Sequence, residues 1–235
     1  MRIALSAVAA LILIGAIVLG MIGGFPWERI EAVNTASQYV TDIYGFSPTY
    51  LQAHLFWGGR GNGVTVSSKE LGFFFDVYID RNNLNHVSSD SYLKNLIEYK
   101  IQEGIKKDIG PMLGAEERIG VGLWVGLPFG SPKAGITTER VDTDFDAVVS
   151  ELANGYYLLI ISKKNQVNGF IPDYQNVFNI LRTVLDKWQP ESVSFWYYGA
   201  DDSKRFAVIN IQNDELHNID EPDDLIQYFS FDSDL

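Results

Sequence analysis

Three segments decide the fold: YYLLIIS (156–162), PDYQNVFNILRTVLDKW (172–188) and SVSFWYY (192–198). The first is an uninterrupted apolar run of strand length, which predicts a strand inside a sheet rather than at its edge. In the second, Tyr174, Val177, Phe178, Leu181, Val184, Leu185 and Trp188 recur at helical spacing, with Pro172 suited to a first turn. The third alternates, so Phe195 and Tyr197 share one face of a strand and Trp196 and Tyr198 the other. A further alternating run, 205–211, follows a turn at 199–203, and the two predict a hairpin. A helix with strands on either side, without regular βα alternation along the chain, reads as α+β architecture.

Working back toward the N-terminus, 119–127 alternates Val121, Leu123, Val125 and Leu127 with Gly and Trp, and predicts a strand. A Pro- and Gly-punctuated loop spans 128–143, and 145–153 reads as a short helix. The second half is thus β-α-β-α-β-β. In the first half, 27–44 reads as a helix with Ile30, Val33, Ser37, Val40 and Tyr44 on one face, ended by Gly45 and Pro48. Strands are predicted at 50–57, 64–67 and 71–79, with Lys69 and Glu70 in the turn between the last two. Ser89 or Asp90 then caps a helix to Ile109, with Leu93, Ile97, Ile101, Ile105 and Ile109 four apart. This gives α-β-β-β-α. Gly110-Pro111 cannot continue the helix, so two structural units are expected to meet near 110–117. The predicted organisation is an N-terminal segment 1–24, an α+β domain 25–111 and a second α+β domain 118–235.

Residues 3–22 contain no charge, Ser6 is their one polar side chain, and eleven of the twenty are Leu, Ile or Val. At 1.5 Å per residue such a helix spans roughly 30 Å, the hydrocarbon thickness of a bilayer. Arg2 lies behind it and Glu28, Arg29 and Glu31 lie ahead, which places the N-terminus in the cytoplasm. Phe25 and Trp27 fall at the outer interface. A cleaved signal peptide is the alternative, with Val18-Leu19-Gly20 as the cleavage region. The run is longer than the usual signal core of about 7–15 residues, which favours an uncleaved single-pass anchor. The bilayer is then the first partner, and both domains lie outside the cytoplasm.

Composition narrows the function classes. Eighteen basic and 30 acidic residues leave a net charge of −12, which argues against nucleic-acid binding. The excess is concentrated: residues 1–114 hold 9 basic and 10 acidic side chains, residues 115–235 hold 9 and 20. There is no cysteine, so disulfides, thiolate nucleophiles and Cys-ligated metals are excluded.

The hydrophobic start, Phe25-Pro26-Trp27, the helix end Tyr39-Val40-Thr41-Asp42-Ile43-Tyr44, Gly63-Val64-Thr65-Val66, Phe75-Asp76-Val77-Tyr78, Ser88-Ser89-Asp90-Ser91-Tyr92 and Lys106-Lys107-Asp108-Ile109 together resemble the YfjL-like family of membrane-anchored proteins of Bacillus-type Gram-positive bacteria. The resemblance implies two domains outside the cell membrane. It implies no activity and brings no catalytic residue.

The candidate sites are weak. The glycine-rich 58–63 lacks the Lys-Ser/Thr of a phosphate loop, and Asn62-Gly63 predicts a hairpin turn. Asp142, Asp144 and Asp146 have the opening spacing of a calcium loop, but Ala147 and Ala153 stand where Gly and Glu are needed, so the acidic first turn of a helix is the better reading. His54, His86 and His217 show no metal-ligand spacing, and neither a metal nor another cofactor is called for. The aromatics Trp57, Phe73, Phe74, Phe75, Trp124 and 195–198 are mostly core by expectation, yet strand alternation leaves Trp196 and Tyr198 as the candidate binding surface. The function this supports is an extracytoplasmic binding or interaction protein for a protein, peptide or glycan. A hydrolase with unidentified residues is the alternative, and a spacer without ligand a third. The tail from Asp214 holds eight acids and no Lys or Arg, yet Asp220-Glu221-Pro222-Asp223-Asp224 opens like a helix, with Leu225, Tyr228 and Phe229 on one face. A docked helix over 222–229 is expected, with 230–235 loose.

Overall fold

The computed structural model describes residues 26–55, 62–80, 82–114, 117–123, 136–152, 155–164, 170–199, 205–216 and 218–231. The chain is α+β with two separate sheets, one four-stranded and antiparallel, the other five-stranded and mixed. By contacts it divides between Asn95 and Leu96. Among the described residues no helix is long and apolar enough to cross a membrane, and the span expected at 3–22 lies outside them.

In the first unit, helix α1 (Pro26–Tyr44) ends in Gly45 at φ 75°, whose N–H donates to Thr41 O at 3.1 Å. That is the left-handed glycine cap its sequence predicts. Its buried stripe differs from the expected one. Ala32, Ala36 and Val40, four apart, are fully buried, whereas Ile30 is 63 % exposed. Alanines let a helix backbone approach strands closely, so the narrowest stripe packs on the sheet rather than the bulkiest. Strands β1 (Tyr50–Leu55), β2 (Asn62–Ser67), β3 (Phe75–Ile79) and β4 (Val87–Asp90) form an antiparallel meander in that order. Val64, Val66, Phe75, Val77 and Ile79 supply its core. Three expectations are corrected here. Asn62-Gly63 is not the turn: Asn62 pairs with Leu55 and Gly63 with His54 inside the ladder. Residues 71–74 precede β3 instead of belonging to it. The sheet has a fourth strand where a helix cap was read.

That cap reading and the strand are both physical. Asp90 ends β4, and its carboxylate accepts the Tyr92 N–H at 2.8 Å as the next helix starts. The same carboxylate accepts the Tyr39 hydroxyl at 2.6 Å and the Tyr44 hydroxyl at 2.9 Å, tying α1 to β4. Burial, with the Asp90 carboxylate beside them, pushes the Tyr39 hydroxyl up to about 12 and raises that of Tyr44 as well. An unfolded tyrosine ionises near about pH 10. Because the folded values lie above it, this contribution is complete below about pH 10 and is lost as pH rises toward and beyond 12. Melting followed by circular dichroism should fall over that alkaline window, and Tyr39→Phe/Tyr44→Phe should flatten the fall. Identical slopes for the two proteins would contradict this.

Helix α2 (Tyr92–Ile109) carries the expected isoleucine row: Ile97, Ile101, Ile105 and Ile109 are all fully buried. A 3-10 turn at Gly110–Met112 ends it. The boundary read at Gly110-Pro111 marks that helix end, while the contact division falls one turn into the helix.

The second unit holds β5 (Arg118–Leu123), β6 (Tyr156–Lys164), β7 (Ser192–Gly199), β8 (Arg205–Gln212) and β9 (Phe229–Phe231), in that spatial order. β6 is interior as its apolar run predicts, and it runs parallel to β7; every other pair is antiparallel. The crossover contains the main helix (Tyr174–Lys187). Pro172 lies one residue before the cap instead of in the first turn, because the Asp173 carboxylate takes the capping role and accepts Asn176 N–H at 3.0 Å. The stripe Val177, Leu181, Val184 and Trp188 is buried, with Ile180 added. Two short helices, α3 (Thr138–Thr143) and α4 (Phe145–Glu151), precede β6, the former lying inside the predicted loop. The main helix is therefore α5, and α6 is a single turn at Asn213–Leu216.

Among its described residues the acidic tail is folded from Pro222 to Phe231. Pro222–Tyr228 forms a 3-10 helix opened by a reciprocal Glu221–Asp224 capping box, and Leu225 is fully buried. The loose end expected from residue 230 is corrected: Ser230 and Phe231 pair with Val208 and Ala207 as strand β9. A strand of three residues gives no period to read.

Candidate functional site

Alternation along β6 places Tyr156, Leu158, Ile160, Ser162 and Lys164 on one face. The first three are buried core, and the row then turns polar at the strand's C-terminal end. Beside it lie the C-terminal end of the parallel strand β7 and the N-terminus of α5, the position where mixed and parallel sheets offer a crevice. A cleft of about 260 Å³ opens there. Its apolar lining comes from Ile160, Phe170, Ile171, Val177, Ile180 and Phe195.

The polar groups converge from four segments. Glu117, just before β5, has a side chain only 15 % exposed. Its Oε1 accepts the Ser162 hydroxyl at 3.0 Å and lies 3.6 Å from Lys164 Nζ, and its Oε2 accepts Gly114 N–H at 2.9 Å. Asp173 caps α5, and Asn176 donates from Nδ2 to Met112 O at 3.1 Å. Tyr197 is buried to 4 % exposure and lines the cleft, and its hydroxyl has no hydrogen-bond partner among the described residues. Burial, then the Glu117 carboxylate, the neighbouring Tyr174 and the Asp173 carboxylate, push that hydroxyl above the ordinary tyrosine range. It therefore stays a neutral donor and acceptor at physiological pH. Phe170 is held by ring contacts to Tyr197 at 4.8 Å, Phe206 at 5.3 Å and Phe229 at 6.4 Å between centroids.

None of these residues was singled out as a site from sequence, because they meet only through the fold. The available signal was local: Ser162 and Lys164 continue a core-facing alternation with polar side chains.

The sequence candidates are placed elsewhere. Trp196 and Tyr198 lie on the opposite face of the sheet, as alternation predicts, and both are half-buried. The Arg205 guanidinium sits 4.8 Å from the Trp196 ring centroid, covering part of it. Tyr157, on the same face, is 37 % exposed. Phe73 and Phe75 belong to the first unit, where both rings contact Tyr92. Trp57 and Trp124 lie outside the described residues. His54 Nδ1 is 3.3 Å from Thr65 Oγ1 and its Nε2 3.8 Å from Asp76, His86 is exposed in a turn, and His217 is outside the described residues. Asp142 pairs with Lys100 Nζ at 2.6 Å at the end of α3, and Asp146 alone of the three occupies the first turn of α4. Among the described residues no three His, Asp or Glu side chains could hold a metal ion.

No family model matches the chain. No curated protein matches it. Its structure is similar to the crystal structure of a DUF5037 family protein from Ruminococcus gnavus ATCC 29149, with a TM-score of 0.44 and 12 % identity over 86 % of this chain and 82 % of that one.

Proposed function

We propose that this chain is a membrane-anchored, extracytoplasmic binding protein of the YfjL-like kind, and that its second unit holds a small polar ligand in the cleft between Glu117, Lys164, Phe170 and Tyr197. The carrying observation is the unpartnered Tyr197 hydroxyl on a buried side chain that lines a cavity of apolar residues and a few convergent polar groups. A thermal-shift screen of the full chain against sugars, amino acids, dipeptides and polyols tests it. A ligand at a hundred times its dissociation constant stabilises the folded state by about 2.7 kcal/mol. A compound that raises the melting temperature of the parent but not of Glu117→Ala/Lys164→Ala supports the reading. A panel with no such compound opposes it and favours the spacer.

Anchoring rests on the charge-free run 3–22 with Arg2 behind it. A reporter active only outside the cytoplasm, fused after Asp42, is expected to be active and to pellet with membranes. Release of a soluble protein starting near Met21 would contradict it in favour of a signal peptide.

One observation favours a hydrolase as the second reading: the Ser162 hydroxyl donates to Glu117 at 3.0 Å beside a lysine. Against it, the accepting oxygen already faces Lys164 and Ser162 is only 3 % exposed, which suits a hydroxyl that positions Glu117 better than an attacking one.

A further inference from the structure

The geometry points to a neutral, hydroxylated ring — a single pyranose unit, free or at the end of a glycan — as the ligand class of the cleft; this rests on the binding reading above. The charges of the cleft are already compensated from within. Lys164 faces Glu117 at 3.6 Å, and the Asp173 carboxylate takes the Asn176 N–H at the positive end of α5. An anion would meet both carboxylates, and a free cation would compete with Lys164 for Glu117. Hydrogen-bonding capacity nevertheless remains. Lys164 has three donors, Asn176 keeps a side-chain carbonyl, the carboxylate oxygens keep lone pairs, and Tyr197 offers an unpartnered phenol. Hydroxyl groups, which both donate and accept, match that mixed set, whereas a charged phosphate, chiefly an acceptor, or a purely donating ammonium does not.

Shape agrees with chemistry. The volume of about 260 Å³ lies under the roughly 300–1,000 Å³ range of sites for drug-sized ligands, which suits a single ring. A pyranose has an apolar C–H face and a polar rim. Phe170, fixed by its three aromatic neighbours, brings an apolar ring to a lining that also holds Ile160, Val177 and Ile180 beside the polar groups. Ile171, 75 % exposed, adds a further apolar side chain to the lining.

The test is calorimetric titration of the full chain in phosphatidylcholine nanodiscs, since maltoside detergents would themselves compete. The probes are methyl β-D-glucopyranoside and N-acetylglucosamine, with inorganic phosphate and ethylammonium as charged comparators. Saturable binding of a neutral sugar is expected, weakened tenfold or more by Glu117→Gln and by Tyr197→Phe while each variant keeps the parent circular-dichroism spectrum. Phenylalanine at 197 preserves the buried ring, so its effect reports the hydroxyl. Sugar binding unchanged in both variants would place the sugar elsewhere and overturn the inference. Binding of phosphate or ethylammonium, lost in Glu117→Gln, with no sugar binding would overturn it too while leaving the cleft a binding site. Silence from all four probes overturns the inference, and the wider panel of the thermal-shift screen then decides the binding reading separately.

Discussion

Truncation after Asn218 is expected to cost the second unit about 5 kcal/mol, from lost burial of roughly 1.5–3 kcal/mol per large apolar side chain. The segment removed is short, but two of its large apolar side chains are interior. Ile219 is 3 % exposed and Leu225 fully buried. Phe229 meets the rings of Phe170 and Tyr174, each at 6.4 Å. Arg182 loses the Ile219 carbonyl, to which it donates at 2.8 Å, and the Asp220 carboxylate at 3.3 Å. Removing β9 also uncovers the outer edge of β8 along Ala207, Val208 and Ile209, and an open strand edge invites association with other chains. A melting temperature lower by about 10–20 °C should follow in a domain of this size. Calorimetry of the parent and truncated chains measures it. Equal melting temperatures would show that the acidic tail contributes nothing to the fold.

Trp188→Ala should destabilise by about 3–5 kcal/mol, the range for deleting a large buried aromatic. Trp188 is 4 % exposed and joins three elements of the second unit. Its indole N–H donates to Asp108 on α2 at 2.8 Å, and its backbone carbonyl accepts the Tyr156 hydroxyl from β6. Its ring lies against Gly104, where a Cβ would come within 2.6 Å of Cζ2 and closer still to Cη2. That contact supplies a second variant with an informative sign. On an exposed helix, alanine is favoured over glycine by about 1 kcal/mol. At residue 104 it forces the indole to move, and overpacking of this kind costs about 1–3 kcal/mol. Urea denaturation should therefore show Gly104→Ala as destabilising. A stabilised Gly104→Ala protein would mean that the indole does not pack there.

What the sequence makes legible is periodicity carried by one element. The isoleucine row of α2, the stripe of α5 and the alternation of β7 each concern a single element with one buried face, and each appears where it was read. Strand β4, Val-Ser-Ser-Asp, has no apolar alternation to read, and its C-terminal end is held by hydrogen bonds, through Asp90 to two tyrosines and through the following Ser91 to Asp76. Helix α1 shows the opposite failure: its apolar bulk at Ile30 and Ile43 faces outward and its alanines face in, so a reading by hydrophobicity selects the wrong stripe. The cleft was illegible for a third reason. Glu117, Ser162 and Asn176 lie far apart in sequence, and only the parallel pairing of β6 with β7 across α5 brings their segments to one end of the sheet. Trp196 drew notice because aromatic residues are conspicuous, whereas Ser162 and Lys164 look like an ordinary strand end.

Backbone-amide NMR shift mapping tests the central claim most directly. The ligand is the compound that gives the largest thermal shift in the screen, titrated into the isotope-labelled chain. The account predicts that saturable shifts concentrate around Glu117, Ser162, Lys164, Asn176 and Tyr197. Shifts concentrated instead at Tyr157, Trp196, Tyr198 and Arg205 would contradict it, because they would put the ligand on the opposite face of the same sheet.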